Sequence, residues 1–193
     1  AAVVQAHVPA AADMVFMDIR ALEGFGTDLI ISRSGYTGED GFEIALPPEE
    51  ARNFAEKLLA DDRVMWIGLA ARDSLRLEAG LCLHGQDLDE DTDPVSAAIL
   101  WAIPKKLREA GDFVGADALR RIIAEGPRHV RVGLKPEGRQ PIRAGAKLLN
   151  EKGEIVGRVT SGGFGPSELL LSLVAMIESG RQLDLLSGDR NRV

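Results

Sequence analysis

Two short apolar segments, DLIISR at residues 28–33 and FEIAL at 42–46, flank GYTGEDG at 35–41, and this arrangement constrains the fold more than any other feature of the chain. Gly35, Gly38 and Gly41 permit tight or positive-φ backbone that other residues resist. The two runs therefore read as an antiparallel pair closed by a hairpin-like loop. In an extended 42–46 segment, Phe42, Ile44 and Leu46 share one face while Glu43 and Ala45 share the other. Glu43 is thereby kept out of the main core.

The flanking sequence supplies both helices and strands. MVFMDI at 14–19 is expected to form another strand, with a polar, Gly-containing connection to DLIISR. Pro47 and Pro48 close the pair, and EEARNFAEKLLA follows as a helix. VMWI at 64–67 reads as a short strand. GLAARDSLRLEAG, from Gly68 to Gly80, is rich in helix formers and ends on a glycine, which predicts one helix. The five carboxylates of QDLDEDTDP, residues 86–94, precede an apolar stretch from Val95 to Ile103 and resemble a helix entrance. GADALRRIIAEG at 115–126 is a further helix with a glycine stop. After Pro127 the texture changes to HVRVGL, AKLLN, EIVGRVTSG and LLLSLVAMI, although Leu169–Ile177 also suits a helix. The expected fold is α+β, with an α/β portion over residues 1–127 and a β-rich portion over 128–193.

Composition narrows the function classes. With 193 residues, 45% hydrophobic and 27% charged, the chain can bury a core and does not resemble a disordered polymer. Its net charge of −7 argues against a nucleic-acid partner. Residues 128–158 nevertheless hold eight Arg or Lys against three Glu, a local +5 that reads first as a solvated basic face and second as a docking face for an acidic partner. One cysteine, Cys82, and three scattered histidines, His7, His84 and His129, form no metal-binding pattern, so no metal is expected. No apolar stretch approaches the roughly 20 residues of a membrane span, and the first residues lack a secretory signal. A bacterial cytoplasm is the expected location, or a mitochondrial matrix in a eukaryote.

Few side chains stand out chemically. A carboxylate at Glu43 can accept two parallel hydrogen bonds from an amidine-like edge, such as that of a pterin ring; it can equally serve as a sheet-face or salt-bridging group. Arg72 and Arg76 share a face of the 68–80 helix, and Asp73 suits Arg76 better than Arg72. Arg72 is therefore a candidate donor to a polar substrate edge, against a plain surface role. Tyr36, the sole tyrosine, is a loop-packing or pocket-lining residue. Glu39 and Asp40 belong to loop structure, Cys82 and His84 do not make a nucleophile pair, and GGFG at 162–165 lacks a phosphate-loop lysine.

Several ordered blocks together resemble the aminomethyltransferase family of the glycine cleavage system, the T-proteins. These are SRSGYTGEDGFEI at 32–44, GLAARDSLRLEAGL at 68–81, HGQDLDEDTDP at 84–94, DFVGADAL at 112–119, VGLKPEGR at 132–139 and GRVTSGGFGPS at 157–167. The resemblance covers about residues 10–167. It implies a folate-binding α/β body with a C-terminal β-barrel-like domain. It also implies transfer of an aminomethyl-derived one-carbon unit from the lipoyl group of an H-protein to tetrahydrofolate, with release of ammonia. Glu43 and Arg72 match the family's substrate-site glutamate and arginine. The family also has a long N-terminal region carrying a catalytic aspartate. None of Asp13, Asp18 or Asp40 takes that role, so the chain by itself is expected to be catalytically incomplete. The tail from Ser167 departs from the family pattern, and no tyrosine follows Tyr36. A non-catalytic folate-binding scaffold and a folate-dependent demethylase are the alternatives.

Overall fold

The computed structural model describes residues 1–136, 142–165 and 170–179. It divides into two compact units, Ala1–Leu81 and Cys82–Val193. The first contains helix α1 (Ala2–His7), strands β1 (Ile19–Gly24), β2 (Thr27–Ser32) and β3 (Glu43–Ala45), and helices α2 (Ala51–Leu59) and α3 (Leu69–Glu78). The strands form one antiparallel sheet in the order β1-β2-β3. Phe25 and Gly26 both have positive φ, 56° and 85°, and so make the tight β1–β2 turn whose twist matches the strands.

Alternation assigns the two faces of this sheet. Leu29 and Ile31 are buried, with Leu22, Phe42, Ile44 and Leu46 packed against them, and Val8, Ala11, Met14 and Phe25 complete the core. Phe54 of α2 meets Phe25 edge-on at 4.6 Å, and His7 stacks on the same ring at 4.5 Å. His7 is thus a packing residue. The opposite face exposes Ile19, Ala21, Ile30, Glu43 and Ala45. This is the placement of Glu43 that the period-two pattern predicts.

The expected strand at 14–19 is displaced. Residues 15–18 form a turn, and the strand begins at Ile19 and runs through the segment expected to be a connection. The Asp18 carboxylate accepts the Val15 N–H and an Arg20 donor, and Met17 takes a left-handed conformation at φ 73°. Those side-chain bonds offer the backbone a turn in place of a ladder. VMWI at 64–67 forms no strand either, since no strand among the described residues pairs with it, and Met65, Trp66 and Ile67 are exposed.

The second unit contains α4 (Lys105–Ala110), α5 (Ala116–Glu125), β4 (His129–Leu134), β5 (Lys147–Leu149), β6 (Ile155–Gly165) and β7 (Leu170–Glu178). The strands form an antiparallel sheet in the order β4-β7-β6-β5. Among the described residues it is open, with β4 and β5 at its edges. The segment that also suited a helix is strand β7, because it pairs on both sides, with β4 and β6. The stretch from Val95 to Ile103 after the acidic segment forms no α-helix: Asp93 accepts the amides of Val95 and Ser96, and Ala98 then turns left-handed at φ 55°. Residues 137–139 of the VGLKPEGR block, Pro166 and Ser167, and the tail from Gly180 lie outside the described residues.

Asp87, near the start of the acidic segment, fastens its loop to the sheet. Its carboxylate, 2% exposed, accepts the hydroxyls of Thr160 and Ser161 and the amide of Leu83. Removing it leaves buried donors without an acceptor, which costs more than the bonds themselves contribute. Asp87→Ala should therefore destabilise this unit by about 3 kcal/mol, and Asp87→Asn by less. A denaturant midpoint unchanged in Asp87→Ala would show that water replaces the carboxylate there.

Candidate functional site

The loop between β2 and β3 is built by charge and by close approach. Arg33, at the end of β2, donates from Nε and one terminal nitrogen to the two carboxylate oxygens of Asp40, each at 3.0 Å. Its other terminal nitrogen donates to the Met14 carbonyl, and its guanidinium lies 5.7 Å from the Phe42 ring centre. The Arg33 side chain holds the Asp40 carboxyl below the usual carboxylate range. Asp40 thus serves loop structure, as the sequence indicates.

Within this loop Gly38 sits at φ 77°, and a Cβ built there would stand 2.5 Å from the Cβ of Ala79. The absent side chain lets the loop lie against the C-terminal end of α3. That helix stops where Gly80 turns left-handed at φ 69°. The contact carries Tyr36 to α3, where its ring lies 4.4 Å below the Arg72 guanidinium. The planar guanidinium and the ring face attract each other electrostatically. On the same helix Arg76 is buried at 1% exposure and donates to Asp73 at 2.8 Å, which leaves Asp73 engaged away from Arg72.

Glu43 has a different anchor. It stands directly across from Ser32 in the β2–β3 register. Ser34 Oγ donates to Glu43 Oε2 at 2.6 Å, and the Ser32 and Ser34 hydroxyls are 2.9 Å apart. Ile19, Ile30, Ser32, Glu43, Ile44 and Ala45 line an open hollow of about 270 Å³ on the exposed sheet face. A larger hollow of about 670 Å³ continues past Ala21, Ile30 and Ala45 toward Glu23 and Asp28.

The structure therefore joins Tyr36 to Arg72 and leaves Glu43 separately held. No hydrogen bond or ion pair links Glu43 with Arg72 among the described residues, and both side chains are exposed. The two anchors nonetheless lie two residues apart, Ser34 on Glu43 and Tyr36 on Arg72. Ser34 is the site residue that reading the sequence misses; its signal is a second hydroxyl at a two-residue spacing beside the strand that faces Glu43. The described residues contain no group of three or more His, Cys, Asp or Glu suited to a metal ion.

The chain is similar to known proteins. The family model for the GCVT N-terminal domain matches residues 1–107. The mitochondrial aminomethyltransferase of Flaveria anomala is 49% identical over 155 residues, 79% of this chain and 38% of that protein. That of Gallus gallus is 48% identical over 155 residues, covering 80% and 39% respectively. The crystal structure of glycine cleavage system aminomethyltransferase T from Bartonella henselae matches with a TM-score of 0.81 and 54% identity, over 86% of this chain and 45% of that one. The chain thus spans less than half the length of these relatives.

Two outcomes follow from the loop. Gly38→Ala should cost about 2 kcal/mol through strain at positive φ and the collision with Ala79; a thermal midpoint equal to that of the parent would show that the loop can shift. The clamp between Arg33 and Asp40 should also give a pH signature. Because the Asp40 carboxyl titrates lower in the folded chain than its ordinary 3.8, its contribution is present above that pH and is lost as pH falls through the native value. The difference in thermal midpoint between the chain and its Asp40→Asn variant should be present at pH 7 and shrink steadily below pH 3.8. A difference independent of pH would contradict the clamp.

Proposed function

The chain belongs to the GCVT family, and from that membership we propose that its parent protein is an aminomethyltransferase of the glycine cleavage system. The reaction moves an aminomethyl-derived one-carbon unit from the lipoyl group of an H-protein to tetrahydrofolate and releases ammonia. The observation that carries this reading is the pairing of family membership with Glu43 and Arg72, each held by its own partner on one loop. The names of the relatives favour it over a non-catalytic scaffold or a demethylase. Those relatives are described as mitochondrial, which suits the matrix in a eukaryotic host; in a bacterium the cytoplasm is the corresponding place.

Tetrahydrofolate is the acceptor substrate, and the lipoyl group arrives on the partner protein. Glu43 presents a carboxylate with lone pairs left over after Ser34 has donated to one oxygen. It can take two parallel N–H donors from the amidine-like pterin edge, which fixes the ring's orientation as well as its position. Arg72, steadied on Tyr36, offers donors to a polar or acidic edge of the folate. Neither residue forms a bond to the migrating carbon. Their contribution is to convert a bimolecular encounter into a positioned one, which can account for a large share of a rate enhancement.

The test uses the full-length parent, with aminomethyl-lipoyl H-protein and tetrahydrofolate, and follows folate-dependent ammonia release. Glu43→Gln and Arg72→Ala should each weaken folate binding by about tenfold or more, the loss expected for a hydrogen bond to a charged group. Absence of transfer by the unmodified parent defeats the assignment. Unchanged folate affinity in both folded variants defeats the roles of the two side chains.

A further inference from the structure

Three oxygens on the exposed face of the first sheet form a chain with a fixed direction. Ser34 Oγ lies 2.6 Å from Glu43 Oε2 and has one proton, which it gives to the carboxylate. At the 2.9 Å contact between the two hydroxyls, Ser32 must then be the donor. Each link polarises the next, so Ser32 strengthens the bond that Ser34 makes. The consequence for Glu43 is geometric. An exposed glutamate on a strand ordinarily samples several rotamers, and holding it in one costs entropy at the moment of binding. Here one oxygen is already tied down and keeps a lone pair, and the other has no hydrogen-bond partner among the described residues.

We infer that Ser34, backed by Ser32, is a positioning residue that sets the Glu43 carboxylate in the orientation needed to receive an amidine-like ring edge. This rests on the role of Glu43 proposed above. Ser34 does not touch the ligand; it acts through Glu43 by removing rotamer freedom before the ligand arrives. The competing explanation is a loop tie, in which the same hydrogen bond merely holds residues 33–43 together. The two differ in what they do to ligands with and without the ring edge. A loop tie would weaken every ligand or destabilise the chain, whereas a positioning residue affects only ligands that Glu43 recognises.

The experiment is a set of binding measurements on the full-length parent, by calorimetry, with tetrahydrofolate and with p-aminobenzoylglutamate, which lacks the pterin. Ser34→Ala should weaken tetrahydrofolate by about tenfold and leave p-aminobenzoylglutamate unchanged. Ser34→Thr, which keeps a hydroxyl, should restore most of the affinity. In the Glu43→Gln background, the Ser34→Ala effect should largely disappear, because its route to the ligand has been altered. If Glu43→Gln weakens tetrahydrofolate while Ser34→Ala changes nothing, or changes both ligands equally, the positioning role is overturned and the role of Glu43 stands. If Glu43→Gln itself changes nothing, the role of Glu43 falls and the inference about Ser34 falls with it.

Discussion

The register between β2 and β3 sets everything else in the candidate site. Ser32 pairs with Glu43, Ile31 with Ile44 and Ile30 with Ala45. Because side chains alternate across a strand, a slip of one residue would turn Ile44 outward and drive Glu43 into a cluster of Leu29, Ile31 and Phe25. An unpaired carboxylate in such surroundings is far costlier than an exposed one. Burial of Phe42, Ile44 and Leu46 and exposure of Glu43 are therefore one choice, made by the hydrophobic effect. The open face acquires its acidic group as a by-product of core formation, and Ser32 arrives beside it by the same register.

The loop between the strands then converts a sheet into a site. A long connection with little secondary structure is normally free to wander, and this one is held at two points. Arg33 and Asp40 close its base with a two-pronged ion pair. Gly38 allows its far side to rest on the end of α3. Between these points Ser34 and Tyr36 are presented in opposite services, one to a strand residue and one to a helix residue. Exposed ion pairs contribute little stability by themselves. The bidentate geometry matters here because it limits where the loop can go, and the stacking of Arg72 on Tyr36 depends on that limit.

Much of this was legible in the sequence because the signals were local. The alternation in FEIAL, the glycines of GYTGEDG and the helix formers between Gly68 and Gly80 each act within a few residues. The misreadings share one cause, which is that pairing is non-local. MVFM has the composition of a strand, yet Asp18 captures the Val15 amide and delays the strand to Ile19. VMWI has it too, and pairs with no strand among the described residues. LLLSLVAMI, placed in the β-rich portion though its composition also suits a helix, shows the same rule from the other side: from Leu170 onward it is a strand because two partners accept it. Motif resemblance is what points to Glu43 and Arg72, since spacing alone assigns them no role. Ser34 is not legible in the sequence because its bond to Glu43 depends on where its hydroxyl points, and only the folded loop determines that.

The surroundings of Glu43 indicate how such a site gains strength. Ile19 and Ile30, respectively 69% and 55% exposed, stand on the same face, with Ala21 of β1 and Ala45 of β3 flanking Ile30. An apolar floor next to a carboxylate is a poor surface to leave in water and a useful one to cover. Hydrogen bonds and charge interactions strengthen when water is excluded, since the effective dielectric falls. The hollow in this chain is open, so the carboxylate competes with solvent for any ligand's donors. Closing it would deepen the electrostatic preference and bury the isoleucines in the same act. Apolar burial would then supply the free energy that desolvating the carboxylate consumes. The pre-set orientation of Glu43 reduces the remaining cost, because the group that must be dried is already aimed.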